Sequence, residues 1–195
     1  MPACSADILI GIIANRFGAD AKMSGVEIGV SKGETSRRLL VALPNLRLCM
    51  VDAWATYPPE HLYRQSGDGH ARLSEVQQAA HKMEAIRSTS FAAARRCVAH
   101  LTSEVAAGTF QDGELDWAFV DGDHTYPGAA GDLDRWYPKV RAKGLLCGHD
   151  FLHPRDKRGI WGVSRAVKEF TAARGIEFSV EEDVWWFVKP EGTSP

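Results

Sequence analysis

Apolar runs of strand length alternate along the chain with stretches of helical period, and that ordering predicts an α/β fold. Ser5–Phe17 places Ile8, Ile12 and Ile13 on one helical face behind Ser5 as a cap. Residues 25–30 (GVEIGV) read as a short strand ending in glycine, and residues 35–42 as a helix that Pro44 stops. Residues 46–51 form a second strand, closing on Asp52. The pattern weakens over residues 57–84, where Pro58, Pro59 and the SGDG of residues 66–69 mark a loop before a polar helix at 73–86. A helical region over residues 91–105 leads to the strand Leu115–Val120, which ends on Asp121. Leu133, Trp136 and Val140 continue an apolar stripe, and Lys143 with Gly144 turns the chain into a strand at 145–147. A loop at 153–159, a helix at 163–173 and two strands at 176–180 and Val184–Val188 complete the order, the last two joined as a hairpin by the acidic residues 181–183. Parallel strands whose carboxyl ends carry Gly29, Asp52, Asp121 and Asp150 would gather those residues along one edge, where open α/β sheets bind ligands.

Composition narrows the class. With 195 residues, a net charge of −2 and 45% hydrophobic residues, the chain has the size and balance of a single domain, taken as residues 1–190 with a frayed tail at 191–195. Its 23 basic and 25 acidic residues are interspersed, which argues against a nucleic-acid binder. No apolar stretch approaches the roughly 20 residues that span a bilayer, and no secretory pattern opens the chain, so a cytoplasmic protein is expected. Cys4, Cys49, Cys97 and Cys147 form no CxxC pair, which argues against structural zinc and redox chemistry, and Cys49 and Cys147 read as small buried hydrophobes. Trp185, Trp186 and Phe187 in one strand suit either a two-sided core strand or a homo-oligomer contact.

Three constellations carry candidate chemistry. Glu27, Gly29, Gly33 and Thr35 lie in VEIGVSKGETS between a strand and a helix, where glycines let backbone approach a ligand and helix amides meet an anion. The spacing is neither GxGxxG nor a P-loop, and a plain structural turn remains an equal reading. Asp52 closes the next strand and is placed to accept hydrogen bonds from a ribose, with Ala53 and Trp54 following it; a helix N-cap or solvated strand-end acid beside a core tryptophan is the alternative. The densest cluster is DGDHTY, residues 121–126, followed after the next apolar strand by His149 and Asp150. Asp121, His149 and Asp150 offer oxygen and nitrogen donors to a divalent cation, while His124 is placed as a general base. The same residues could instead cap helices and tie loops together.

The segments VEIGVSKGETS, VDAW, LDWAFVDGDHTYPGAAGDLDRWYPKVRAKGLLCGHDF and GVSRAVKEF resemble the class I methyltransferases that use S-adenosylmethionine (SAM), in particular the branch with DGDHxY and a terminal GHDF. The likeness runs from about Val26 to Phe170. It implies a Rossmann-like, doubly wound sheet of seven strands, mostly parallel, with an antiparallel hairpin at the end. It also implies that Glu27, Gly29, Gly33 and Thr35 cradle the methionine part of SAM, Asp52 holds the ribose, Ala53 and Trp54 lie near the adenine, and Thr89 and Ser90 approach the adenine edge. Metal-dependent O-methyltransferases among these relatives hold magnesium with residues matching Asp121, His149 and Asp150, and one type uses a base at the position of His124. Those relatives carry an acid where this chain has His149; an imidazole there suits a softer divalent ion, or a metal-free enzyme in which His149 positions the substrate. The function expected is methylation of a hydroxyl on a small molecule of sugar, phenol or polyketide type, the segment 57–86 covering the acceptor pocket. A SAM-binding regulatory protein without turnover is the rival.

Overall fold

The computed structural model describes residues 5–192; Cys4 and the last three residues of the 191–195 tail lie outside them. Seven strands, β1 (Met23–Ile28), β2 (Leu46–Asp52), β3 (Arg96–His100), β4 (Leu115–Val120), β5 (Val140–Gly148), β6 (Ser179–Glu181) and β7 (Val184–Val188), form one sheet in the order β3-β2-β1-β4-β5-β7-β6. The first five run parallel, and β7 lies antiparallel between β5 and β6. From β1 the chain winds outward to β3 and then crosses back to place β4 on the other side of β1. The direction of winding therefore reverses between β1 and β4, which opens a crevice at their carboxyl ends.

The helices α1 (Ser5–Phe17), α2 (Glu34–Ala42) and α4 (Glu75–Ser88) cover one face of the sheet. The helices α5 (Ser103–Ala107), α6 (Tyr126–Trp136) and α8 (Val163–Ala172) cover the other. Two single-turn helices, α3 (Leu62–Gln65) and α7 (Pro154–Lys157), sit in the loops at the carboxyl edge. The period of two along the strands divides the core accordingly: Trp117 and Phe119 of β4 pack with Leu9, Ile13 and Leu39, while Ala118 and Val120 pack with Leu133, Trp136 and Val167. Gly25 on β1 leaves the space that the Trp117 indole fills; a Cβ there would lie 2.1 Å from the ring. Trp185 and Phe187 are each 1% exposed inside the chain's own core, and Trp186 packs on the opposite face, so the terminal strand is a two-sided core strand.

Several expectations change. Residues 91–105 are not one helix: a 3-10 turn over Ser90–Arg95 leads into β3, and α5 follows. β3 is an edge strand with one neighbour and only partial burial, so RCVAH lacks the apolar run that betrays a central strand. β5 begins at Val140, five residues early, because the strand continues through Lys143 and Gly144 with a register shift against β4. β6 is only three residues long, and Ile176 is buried ahead of it. Ser5 does not act as the cap of α1. It lies in the helix, and its hydroxyl contacts His149 Nε2 at 2.7 Å.

Candidate functional site

The hydrogen-bond ladders run one residue past the strand ends and so line up the site. Gly29 N–H donates to Val51 O at 2.9 Å, Asp121 N–H to Ile28 O at 2.8 Å, His149 N–H to Val120 O at 3.2 Å and Leu101 N–H to Asp52 O at 3.2 Å. Along this edge opens a cavity of about 790 Å3.

Its cofactor-like half is built by two loops tied to each other. Asp52 accepts from Ser31 N–H through Oδ2 and from Trp54 N–H through Oδ1, both at 2.7 Å, and the Trp54 indole N–H donates to Ser31 O at 2.9 Å. Gly29 adopts φ +92°, and its missing Cβ lets its backbone lie against Asp121, whose carbonyl oxygen would stand 2.0 Å from any Cβ. Gly29, Ser31, Asp52, Ala53 and Asp121 all line the cavity. Glu27, Gly33, Thr35 and Trp54 are not among its lining residues. The space left at Gly33 is taken by Ala85 of α4, whose Cα lies 2.9 Å from where a Cβ would be. Glu27 is buried and accepts from the Ser36 hydroxyl. Burial, reinforced by Asp121 and Asp52, pushes its pKa up to about 8, so it is a neutral acid at pH 7.

Thr89 is buried with its hydroxyl donating to Ala85 O at 2.6 Å, Ser90 is exposed, and neither reaches the cavity. The residues that do are Thr102, Ser103 and Glu104, immediately after β3. Reading β3 as helix concealed them, since a strand's carboxyl end is what marks a ligand edge.

The second half of the cavity holds the polar cluster. Within DGDHTY, Asp123 and Thr125 build the turn: Asp123 Oδ1 accepts from Thr125 N–H at 2.9 Å, and Thr125 Oγ1 caps α6 by accepting from Gly128 N–H at 3.2 Å. Asp121 and His124 are left for the site. His124 Nε2 lies 2.9 Å from Asp150 Oδ2 and 3.3 Å from Asp121 Oδ1, and its Nδ1 lies 2.7 Å from Asp68 Oδ2. His149 Nδ1 lies 3.2 Å from Asp150 Oδ2 and 3.7 Å from Asp121 Oδ1, while its Nε2 faces Asp183 Oδ2 at 3.1 Å. Trp161 stacks on His124 with ring centres 4.3 Å apart.

Burial alone would favour neutral imidazoles, but the surrounding carboxylates outweigh it. Asp121, Asp150 and Asp68 hold His124 well above the usual histidine range, and Asp150, Asp121 and Asp183 raise His149 to about 9. Against its own burial, Asp150 is held well below the usual carboxylate range by the two histidines. Each of the three carboxylates within reach of His124 favours its protonated form. The linkage has a definite sign. His149, raised from 6.5 to about 9, contributes stability that is complete below pH 6.5 and lost as pH rises through 9. Glu27, kept protonated by burial, adds a loss of the same sign between pH 4.5 and 8. Thermal melts in EDTA without SAM are expected to fall between pH 6.5 and 9, the His149 part being on the order of 2 kcal/mol, or about 4–8 °C. His149→Gln is expected to flatten that slope, and an unchanged slope in the variant would disprove the link.

Asp68, Asp183 and Ser5 were missed as site residues. Their only sequence signal was membership of a glycine turn, an acidic hairpin connection and a helix start. Tyr57, Tyr63 and Trp161 also line the cavity.

A parallel sheet with its penultimate position reversed, carrying a ligand edge at the β1/β4 switch, defines the class I methyltransferase fold. The sequence pattern of a methyltransferase-domain family matches residues 26–151, and the chain belongs to that family, whose members use SAM. Among solved structures, a "putative caffeoyl-CoA O-methyltransferase" from Staphylococcus aureus superposes with a TM-score of 0.68 at 10% identity, over 97% of this chain and 84% of that one. The O-methyltransferase NovP gives 0.62 at 16% identity over 95% and 79%. A "putative sarcosine dimethylglycine methyltransferase" from Galdieria sulphuraria gives 0.58 at 11% identity over 90% of this chain, which spans only 62% of that one. No curated protein sequence matches significantly. Among the described residues no helix is long and apolar enough to cross a membrane.

The donor set can be tested against the magnesium of metal-dependent relatives. Magnesium demands near-octahedral oxygen at about 2.0–2.1 Å. Here two imidazole nitrogens stand among two carboxylates, so the residues do not fit magnesium.

Proposed function

We propose that the protein transfers the methyl group of SAM to a hydroxyl of a small molecule. The observation that carries this reading is the shared cavity: Gly29 and Asp52 line one part of it, and Asp121, His124, His149 and Asp150 line the other. A volume of about 790 Å3 suits SAM together with a small acceptor rather than a polymer. Gly29, with Glu27, Gly33 and Thr35 supporting its loop, would receive the methionine part, and Asp52 the ribose hydroxyls. Thr102, Ser103 and Glu104 would face the adenine.

The sulfonium activates the methyl carbon, so the protein's task is alignment and removal of one proton. The acceptor oxygen attacks the methyl carbon, the carbon–sulfur bond breaks with its electron pair remaining on sulfur, and S-adenosylhomocysteine leaves. The hydroxyl's proton passes to the Asp121 carboxylate, which has 26% of its side chain exposed against 10% for Asp150. His124 holds that carboxylate in place from 3.3 Å. Residues 57–86 supply Tyr57, His61, Tyr63, Asp68 and His70 to the cavity and act as its cover.

SAM or S-adenosylhomocysteine at 100 times its dissociation constant is expected to stabilise the protein by about 2.7 kcal/mol, a rise of about 5–10 °C, and NAD is expected to have no effect. Incubation with methyl-labelled SAM and panels of sugars, phenols, polyketide alcohols and amines is expected to place label on oxygen. Label found only on nitrogen would overturn the hydroxyl acceptor, and stabilisation by NAD alone would overturn the cofactor.

A further inference from the structure

We infer that the acceptor carries no anionic group: the cavity takes a hydroxyl compound that bears a protonated amine or is neutral, in that order, and rejects one that bears a carboxylate, a phosphate or a coenzyme A ester. The inference rests on the methyl-transfer reading and deepens it by naming the charge class of the substrate.

The balance of charge along the wall is the first argument. Among the described residues that line the cavity there are seven carboxylates, while Arg135 alone represents lysine and arginine. Arg135 is already engaged: its Nη2 lies 3.8 Å from Glu104 Oε2, and its Nη1 takes the space over Gly131. Of the four lining histidines, His124 and His149 are each held by carboxylates. His61 Nδ1 accepts from Tyr63 N–H at 3.2 Å, and His70 Nδ1 lies 3.2 Å from the Ser31 hydroxyl. Even with His124 and His149 both protonated, the carboxylates outnumber the cations. The sulfonium of SAM offsets one of these charges and leaves a surplus.

Backbone amides at a helix N-terminus are the other means of holding an anion. The N-termini of α5 and α6 both line the cavity, and both already carry acids. Thr125 caps α6 while its own N–H donates to Asp123 Oδ1 at 2.9 Å, and α5, capped by Thr102, has Glu104 in its first turn.

Neighbouring groups register the same field. Asp132 of α6 is 5% exposed, and its Oδ1 accepts from the Ser103 hydroxyl. Burial, with Asp123 adding to it, raises the Asp132 pKa to about 6, which still leaves it ionised at pH 7. On the cover, burial and then the acids nearby push both tyrosine hydroxyls up, Asp52 and Asp123 acting on Tyr57, Asp68 and Asp123 on Tyr63. Floor and cover thus face a bound acceptor with one sign of potential, which attracts an amine and repels an acid.

The test offers the full chain matched trios in EDTA, so that no added cation bridges an acid to the wall: tyramine, 4-ethylphenol and 4-hydroxyphenylacetate, and glucosamine, glucose and glucuronate. Label transfer from SAM, and calorimetry with S-adenosylhomocysteine bound, are expected to rank amine first, the neutral compound next and the acid at least about 10-fold below it. Added salt is expected to narrow the ratio of amine to acid. Asp132→Asn, which keeps an oxygen for the Ser103 hydroxyl, is expected to narrow it at least about threefold, with melting curves establishing that the variant is folded. An acceptor-free probe is the fluorescence of Trp161, which lines the same cavity. Caesium ion is expected to quench the part of the emission lost in Trp161→Phe more than iodide does, each measured against free tryptophan. An acid handled as well as its neutral partner, an amine handled worse than it, or stronger quenching by iodide would each overturn the inference. Failure to bind S-adenosylhomocysteine overturns the methyl-transfer reading instead, and the quenching ratio is read without it.

Discussion

Gly29→Ala is expected to abolish measurable SAM binding and to destabilise the chain by about 3 kcal/mol or more. Two penalties coincide at that position. A side chain at φ +92° meets the steric cost of left-handed backbone, about 1–2 kcal/mol. The added Cβ would also lie 2.0 Å from the Asp121 carbonyl oxygen, which is main chain and cannot rotate away. The strand ends must therefore separate, and they are the floor of the cavity. Gly159→Ala is the matched control: its φ is +70° and nothing lies within 4 Å of the new atom, so only the conformational part, about 1 kcal/mol, remains. Urea melts and calorimetric titration with SAM on both variants check this. Equal losses in the two would show that the close approach to Asp121 is unimportant.

The second large effect is on turnover. His124→Ala is expected to slow methyl transfer at least about 100-fold while SAM affinity changes by less than about threefold. His124 touches Asp121, Asp150 and Asp68 and makes no hydrogen bond or ion pair with Gly29, Asp52 or Ala53. Removing it takes away the group that holds Asp121 in place and leaves the carboxylates of Asp121 and Asp150 with one imidazole, His149, beside them. Measurement is by label transfer to whichever acceptor the screen identifies, with SAM binding followed separately. Full turnover in the variant would remove His124 from the chemistry, and parallel loss of SAM binding would assign it to the cofactor's side.

The sheet was legible where strands are buried on both faces. Residues 46–51 and Leu115–Val120 announced themselves as apolar runs, and each ends on an acid that lines the cavity. Legibility failed at the rim. β3 has one neighbouring strand and keeps Cys97 and His100 exposed, so its pattern resembles a polar helix and hides Thr102, Ser103 and Glu104 just past its carboxyl end. For the cluster, DGDH and GHD stood out because their polar residues follow apolar strands at once. Asp68, Asp183 and Ser5 did not, because each sits in a segment whose residue types already have a local explanation and only the fold brings them to the histidines. A single chain read in order shows which residues end strands, not which distant ones meet them.

The contact between Ser5 and His149 spans 144 positions, and His149 in turn meets Asp183 near the other end of the described chain. Closing contacts of that separation carries a loop-entropy cost that short-range pairing does not share. During synthesis the first helix therefore waits until residue 149 has been made before its hydroxyl finds that partner. Any folding intermediate that holds only β1 to β4 contains the Asp52 clip and the glycine approach, yet has no finished cluster. Cofactor affinity is thus expected to appear earlier on the folding pathway than the capacity to act on an acceptor.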